Sequence, residues 1–262
     1  MTKLITIIIV NYNSADFINL TLEALANLTV NSYKVIILDN NSRFNDYSKL
    51  KKYTEKYKNI SLERQKTNLK GSLAHGTALN YLINKVETNY FCIMDADAVW
   101  LKKGWDSILL KEFNDKVKAV GTQADSPNKP LDFPLMFAIM LETSTFKKLD
   151  IDMRPGNINI YQDTGYEMRE KFLQAGFSGK IIEYKNTREY KGGPLKNIPA
   201  VVEYYLDGVL LASHFGRGSN PGGKKVSKID IPLIRNFANF FQWHIDKMQW
   251  IGICKKIIEE QK

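Results

Sequence analysis

The feature that most limits what this chain can fold into is an alternation through its first 120 residues. Short apolar runs take turns with segments of helical periodicity. LITIIIV (4–10), KVIILD (34–39), ISLER (60–64), YFCIMDAD (90–97) and VKAVGT (117–122) have strand length, and ISLER is the weakest of them. Between the first two, Ile18, Leu22 and Leu25 share one face of a helix reaching about residue 28, with Ser14 offered as N-cap and Asp16 in the first turn. Further helices are predicted around 46–58, 73–85 and 105–113. Such alternation implies an α/β fold with a mainly parallel, doubly wound sheet and helices on both faces. Ligands of these sheets sit outside the carboxyl ends of the strands. Three polar clusters, NYNS, DNNS and DAD, fall at those ends.

The second half is less regular. Residues 123–134 carry three prolines and read as a loop. LMFAIMLE (135–142) reads as a strand, TSTFKKLD (143–150) as a short helix, 163–175 as a helix stopped by Gly176, and GKIIEY (179–184) as a strand. GRGSNPGG (216–223) reads as a flexible loop. From Ile231 onward the spacing is that of an amphipathic helix. Leu233, Phe237, Phe240, Phe241, His244, Met248 and Ile251 share one broad face, with Trp243 and Trp250 on its shoulder. Aromatic and basic residues on such a helix suit a membrane interface; packing on the rest of the chain or on a second copy would bury the same face.

Composition narrows the function classes. At 44% hydrophobic and 25% charged, the chain is an ordinary globular protein. Cys92 and Cys254 form no disulfide framework and no metal-binding pair, which suits a reducing compartment. No apolar run has the length of a bilayer span, so the expectation is a soluble, cytoplasmic protein that at most touches a membrane surface. The net charge of +9 suits an anionic partner, and residues 217–262 hold five of those charges, with nine Lys/Arg against four Asp/Glu. No nucleic-acid-binding signature accompanies them, so a nucleic-acid partner is not expected.

FCIMDADAVW poses the chemical question. Asp95 and Asp97 at i and i+2 on extended backbone face one side, and two carboxylates so close repel unless a cation lies between them. Hard carboxylate oxygens suit Mg²⁺ or Mn²⁺.

In order along the chain, IIIVNYNSADF, VIILDNNS, TNLKG, FCIMDAD, FAIMLETSTFKKLDI, YQDTGYEMREKFLQAG and SHFGRGS resemble the motifs of family 2 glycosyltransferases of the GT-A fold, over about residues 3–220. The resemblance implies a GT-A domain at 1–220, with a nucleotide-sugar half (1–122) and an acceptor half (123–220), followed by a C-terminal helical extension (221–262). It implies an inverting, metal-dependent enzyme that moves a sugar from a nucleoside diphosphate to a glycan or lipid-linked acceptor. Asp95, Asp97 and His214 would hold Mn²⁺ or Mg²⁺, with Asp95 also near the ribose. Asn11, Tyr12, Asn13, Asp39, Asn41, Asn68 and Lys70 would line the nucleotide, with Asp39 accepting from the base N3–H, which favours UDP or dTDP. Asp163 would be the catalytic base, with Asp150 and Asp152 as weaker competitors. The family's Glu-Asp pair is here Gln162–Asp163, and Asn11 stands where Thr is frequent. The loop 216–223 with Arg217, Lys224 and Lys225 would close over the diphosphate. His75 and His244 receive no role. A homodimer is compatible with the same reading. The alternatives are a nucleotidyltransferase, though NYNSADF lacks its glycines and lysine, and a catalytically inactive binding protein of the same fold.

Overall fold

ITIIIVN becomes an interior strand of the sheet because both of its faces can be buried. In β1 (Ile5–Asn11), Ile5, Ile7 and Ile9 enter one hydrophobic cluster, and Ile8 enters the other, on the opposite side of the sheet. The same alternation divides β2 (Tyr33–Asn40), β4 (Tyr90–Asp95) and β7 (Leu135–Glu142): Val35, Ile37, Cys92, Met94 and Met140 face one cluster, while Ile36, Leu38, Phe91, Ile93, Ile139 and Leu141 face the other.

The computed structural model describes residues 4–123, 130–160, 162–218 and 232–262, with backbone alone at 136, 158 and 232–237. Among the described residues, ten strands form one mixed sheet in the order β3-β2-β1-β4-β7-β6-β8-β9-β10-β5. The first four positions, with β3 (Ile60–Gln65) at the edge, are parallel. β7 runs antiparallel between β4 and β6 (Val117–Thr122), which pairs parallel with β8 (Ser178–Asn186). α1 (Ala15–Leu28), α2 (Phe44–Thr54) and α4 (Trp105–Glu112) match the expected helices, α3 runs over Gly71–Asn84, and α5 covers Thr143–Lys148.

Several expectations are corrected. Ser14 holds the N-cap position of α1, but its hydroxyl donates to the Tyr12 carbonyl (3.1 Å); the Ala15 amide is capped from a distance by Asp46 Oδ1 (3.1 Å). The helix expected over 163–175 is shorter: α6 is Glu167–Gln174, and Asp163 lies in the turn before it. Three strands went unread, the short β5 (Ala98–Trp100) and the two that follow β8. β9 (Val202–Leu206) and β10 (Val209–His214) form a hairpin closed by Asp207 and Gly208, both at positive φ (50° and 77°), the conformation that a two-residue Asp-Gly turn favours. β10 then pairs with the short β5 (Ala98–Trp100). Part of the proline-rich loop, residues 124–129, and most of the glycine-rich loop, including Lys224 and Lys225, lie outside the described residues.

The last helix, α7 (Pro232–Glu259), packs through a face other than the one expected. Asn239, Trp243, Asp246, Trp250, Cys254 and Ile258 are buried, while Phe240, Phe241, Ile245 and Met248 are exposed. Leu233 and Phe237 lie outside the residues whose side chains are described. Phe17 of α1, Phe215, Trp243 and Trp250 gather with ring centroids 5.1–6.2 Å apart. Full burial of a side chain as large as Trp250 contributes on the order of 4–6 kcal/mol of transfer free energy. The tryptophans are thus the anchor of α7, and Asp246 is buried because it has a cationic partner, Arg217.

Candidate functional site

A cavity of about 850 Å³ opens beyond the carboxyl ends of β1, β2 and β4. Its wall includes Tyr12, Asn41, Asn68, Lys70, His75, Asp95 and Asp97. The N-terminal turn of α3, Gly71 and Ser72, forms part of the same wall and brings the positive end of a helix dipole to it.

On the side of β1 and β2, the polar clusters knit the loops together. Asn11 and Asp39 are both fully buried. Asn11 Nδ2 donates to Asp39 Oδ1 (2.8 Å) and Ser42 Oγ (3.0 Å), and its Oδ1 accepts from the Ser14 amide (3.1 Å). Arg64 Nε lies 3.2 Å from Asp39 Oδ2. Asn13, at φ 53°, accepts from the Arg43 amide (2.9 Å), and Asn41, at φ 65°, donates to the Thr67 carbonyl (3.1 Å). Of the residues expected at the nucleotide, Tyr12, Asn41, Asn68, Lys70 and Asp95 line the cavity; Asn11, Asn13 and Asp39 sit behind it and hold its loops in place. Asp39 has none of its surface exposed, does not line the cavity, and is bonded to Asn11 and Arg64. Asn40, part of the DNNS cluster but given no role of its own in the sequence, lines the wall and donates to the Ala74 carbonyl (3.2 Å).

The two aspartates meet differently from the extended pair first expected. Asp95 ends β4, and Ala96–Asp97 form a tight turn into β5, because Ala98 pairs with His214 at the end of β10. That turn brings His214 Nε2 to 3.2 Å from Asp97 Oδ1 and 3.7 Å from Asp95 Oδ2. Asp95, Asp97 and His214 each offer one ligand atom within 4.8 Å of the others. The other oxygen of Asp97 accepts from the amides of Arg217 (3.0 Å) and Gly218 (2.8 Å). Burial alone would raise the Asp97 pKa, but the nearby His214, its hydrogen bond and the two amides outweigh it and hold the carboxyl at about 2. The side chain is anionic at any working pH. Gly218 is required here, since a Cβ on it would lie 2.7 Å from Asp97 Cβ. The donor set of two carboxylates and one imidazole fits a divalent cation, and the imidazole tilts it toward Mn²⁺. His75, given no role in the sequence, lies 4.0 Å from Asp95 Oδ1; its place one turn into α3 was the signal that could have found it.

Asp163 is half-buried, and its Oδ1 accepts from the Thr164 amide (2.7 Å). The Thr164 hydroxyl donates to the carbonyl of Ser72 (3.1 Å), which ties this turn to the cavity wall. Gln162, in the place of the family's Glu, accepts from the Asn157 amide (2.8 Å) and closes its own loop. Asp152 is held by Arg154 and Asn80, and the Arg154 hydrogen bonds keep its carboxyl well below the usual range. Arg217, first placed on a lid, is instead buried, 2.9 Å from Asp246 of α7.

With this geometry in place, the comparisons decide the family. The sequence model described as glycosyl transferase family 2 matches residues 6–177. The chain belongs to that family. An uncharacterised glycosyltransferase of Haemophilus influenzae is 24% identical over 289 aligned positions, covering 98% of this chain and 85% of that protein. Among solved structures, the mannosyltransferase PcManGT from Pyrobaculum calidifontis, in complex with GDP-Man and Mn²⁺, superposes with a TM-score of 0.55 at 16% identity, over 69% of this chain and 55% of that one. S. aureus TarS 1–349, in complex with UDP-GlcNAc, gives 0.49 at 16% identity over 68% and 55%. The chain thus spans about half the length of these solved structures. The fold is of the GT-A type, as its resemblance implied.

Proposed function

We propose that this family 2 member is an inverting, metal-dependent glycosyltransferase that uses a nucleoside-diphosphate sugar. The observation that carries the proposal is the convergence of His214 on Asp95 and Asp97, which line the cavity. A divalent cation bound there would stabilise negative charge on the departing diphosphate. Lys70 and the first turn of α3 bind the phosphates, Tyr12 offers a ring face for the base, and Asn40, Asn41 and Asn68 supply amide donors and acceptors around it. Asp39 acts on the base only through the loops it holds, so a uracil preference does not follow from it. Asp163 takes the proton from the acceptor hydroxyl as that oxygen attacks the anomeric carbon on the face opposite the nucleotide.

The acceptor is a glycan or a lipid-linked sugar. In support of the lipid-linked form, Phe240, Phe241, Ile245 and Met248 form an exposed apolar strip on α7. Among the described residues, no helix is long and apolar enough to cross a membrane.

The decisive measurement is a thermal-shift screen of UDP, dTDP and GDP, each with Mn²⁺, with Mg²⁺ or with chelator. A nucleotide that stabilises only when a cation is present is expected, and at 100 times its Kd it adds about 2.7 kcal/mol. Stabilisation unchanged by chelator would refute the metal-dependent reading.

A further inference from the structure

The cation site is buttressed from the far end of the chain. Segment 213–218 carries both the histidine and the two amides that hold Asp97, and α7 grips this segment at three points. Trp250 Nε1 donates to Ser213 Oγ (2.8 Å), next to His214. Trp243 Nε1 donates to the carbonyl of Arg217 (2.8 Å). Asp246 Oδ2 lies 2.9 Å from Arg217 Nη2, with both side chains almost wholly buried. The guanidinium also donates to the Pro199 carbonyl (3.1 Å) and lies over the Phe215 ring, 4.5 Å from its centroid.

A buried arginine fixed at its side chain and its carbonyl has little freedom left at its amide. That amide, with the amide of Gly218, fixes the Asp97 oxygen turned away from His214. The Asp97 carboxylate can then rotate only by breaking bonds that α7 holds in register. A surface helix used only as packing needs apolar side chains; α7 instead spends a buried carboxylate on this one segment, and an unpaired buried charge is too costly to be incidental.

We infer that Asp246, acting through Arg217, is a positioning residue for the divalent-cation site, with Trp243 as its second contact. The inference rests on the reading of Asp95, Asp97 and His214 as that site. Outer partners that orient metal ligands ordinarily change affinity by about 10- to 100-fold when removed.

The test is Mn²⁺ alone, titrated into the purified full chain and followed by loss of the free-ion EPR signal, with the melting temperature of each variant recorded. Asp97→Ala serves as the control that the signal reports this site. Asp246→Asn should weaken Mn²⁺ by about 10- to 100-fold, and Trp243→Phe, which keeps the ring and removes one N–H, by about 5-fold. Should Asp246→Asn fail to fold, Arg217→Met combined with Asp246→Leu replaces the ion pair by apolar groups of similar volume. It should fold and still lose at least 10-fold in affinity. Folded variants that bind Mn²⁺ as the wild type does, whatever their melting temperature, would overturn the inference and leave the cation site intact. A wild-type chain that binds no Mn²⁺ would instead overturn the site itself, and the positioning role with it.

Discussion

The two walls of the cavity are built by opposite strategies. The wall at β1 and β2 is made of short polar stretches that follow directly on buried strands, and its bonds join residues about 30 positions apart, such as Asn11 to Asp39 and Asn13 to Ser42. The wall at Asp97 is closed by bonds that span 117 to 121 positions. The first wall shapes a space, whereas the second concentrates charge: one carboxylate, one imidazole and two amides around a single oxygen pair. A parallel sheet therefore provides a recess cheaply from local sequence, but a cation site in it demands that a distant strand be brought alongside.

If that division is right, damage on the two walls should differ in kind. The largest effect is expected for Asp97→Ala, which removes a charged ligand while leaving the sheet in place. Transfer or donor hydrolysis with Mn²⁺ should fall by about 1000-fold, equivalent to about 4 kcal/mol. Retention of activity within tenfold would erase the distinction. Gly218→Ala comes next, because its Cβ would press on Asp97. It should cost about 1–3 kcal/mol of stability, seen as a melting temperature lower by about 2–4 °C per kcal/mol, together with a higher Mn²⁺ requirement.

Asp39→Asn probes the other wall. It disturbs the buried partners Asn11 and Arg64, and should cost about 1–3 kcal/mol in urea unfolding while changing kcat by less than about tenfold. A loss of kcat as great as that of Asp97→Ala, with unfolding unchanged, would mean that this wall touches the reaction after all. The smallest effect concerns the joint between α1 and α7. Burial pulls the Asp16 carboxyl upward, but the bond and charge of Lys247, with help from Lys49 and Tyr53, leave it below 3.8. Its folded pKa is thus depressed, so its contribution to stability is present above pH 3.8 and lost as the pH falls further. Asp16→Asn should lower stability at pH 7 by about 0.5 kcal/mol, and the difference should shrink as the pH falls below the usual carboxylate range. A difference that persists at the lower pH would assign the bond a role other than charge.

Legibility in the sequence followed the same division. Strands buried on both faces announce themselves as apolar runs, so β1, β2, β4, β6 and β7 and the polar clusters behind them could be read directly. The short β5 could not: three residues form a strand only because β10 lies beside them. The β9–β10 hairpin did carry a signal, Asp207–Gly208 between apolar residues, that went unused. On α7 the aromatic-rich face suggested the packing surface, yet the buried stripe includes Asn239 and Asp246. Polar residues at core positions are invisible to a hydrophobic pattern, since their burial depends on a partner elsewhere, as Asp246 depends on Arg217.

The pairing of Ala98 with His214 has a consequence for how the molecule comes into being. The residues that line the recess all lie between Val10 and Asp97, yet the imidazole comes more than a hundred residues later and its brace on α7 later still. A chain cut short before β10 would hold the recess without the histidine proposed as a cation ligand. The proposed cation site is complete only once β10 has paired with β5, the strand at the far edge of the sheet.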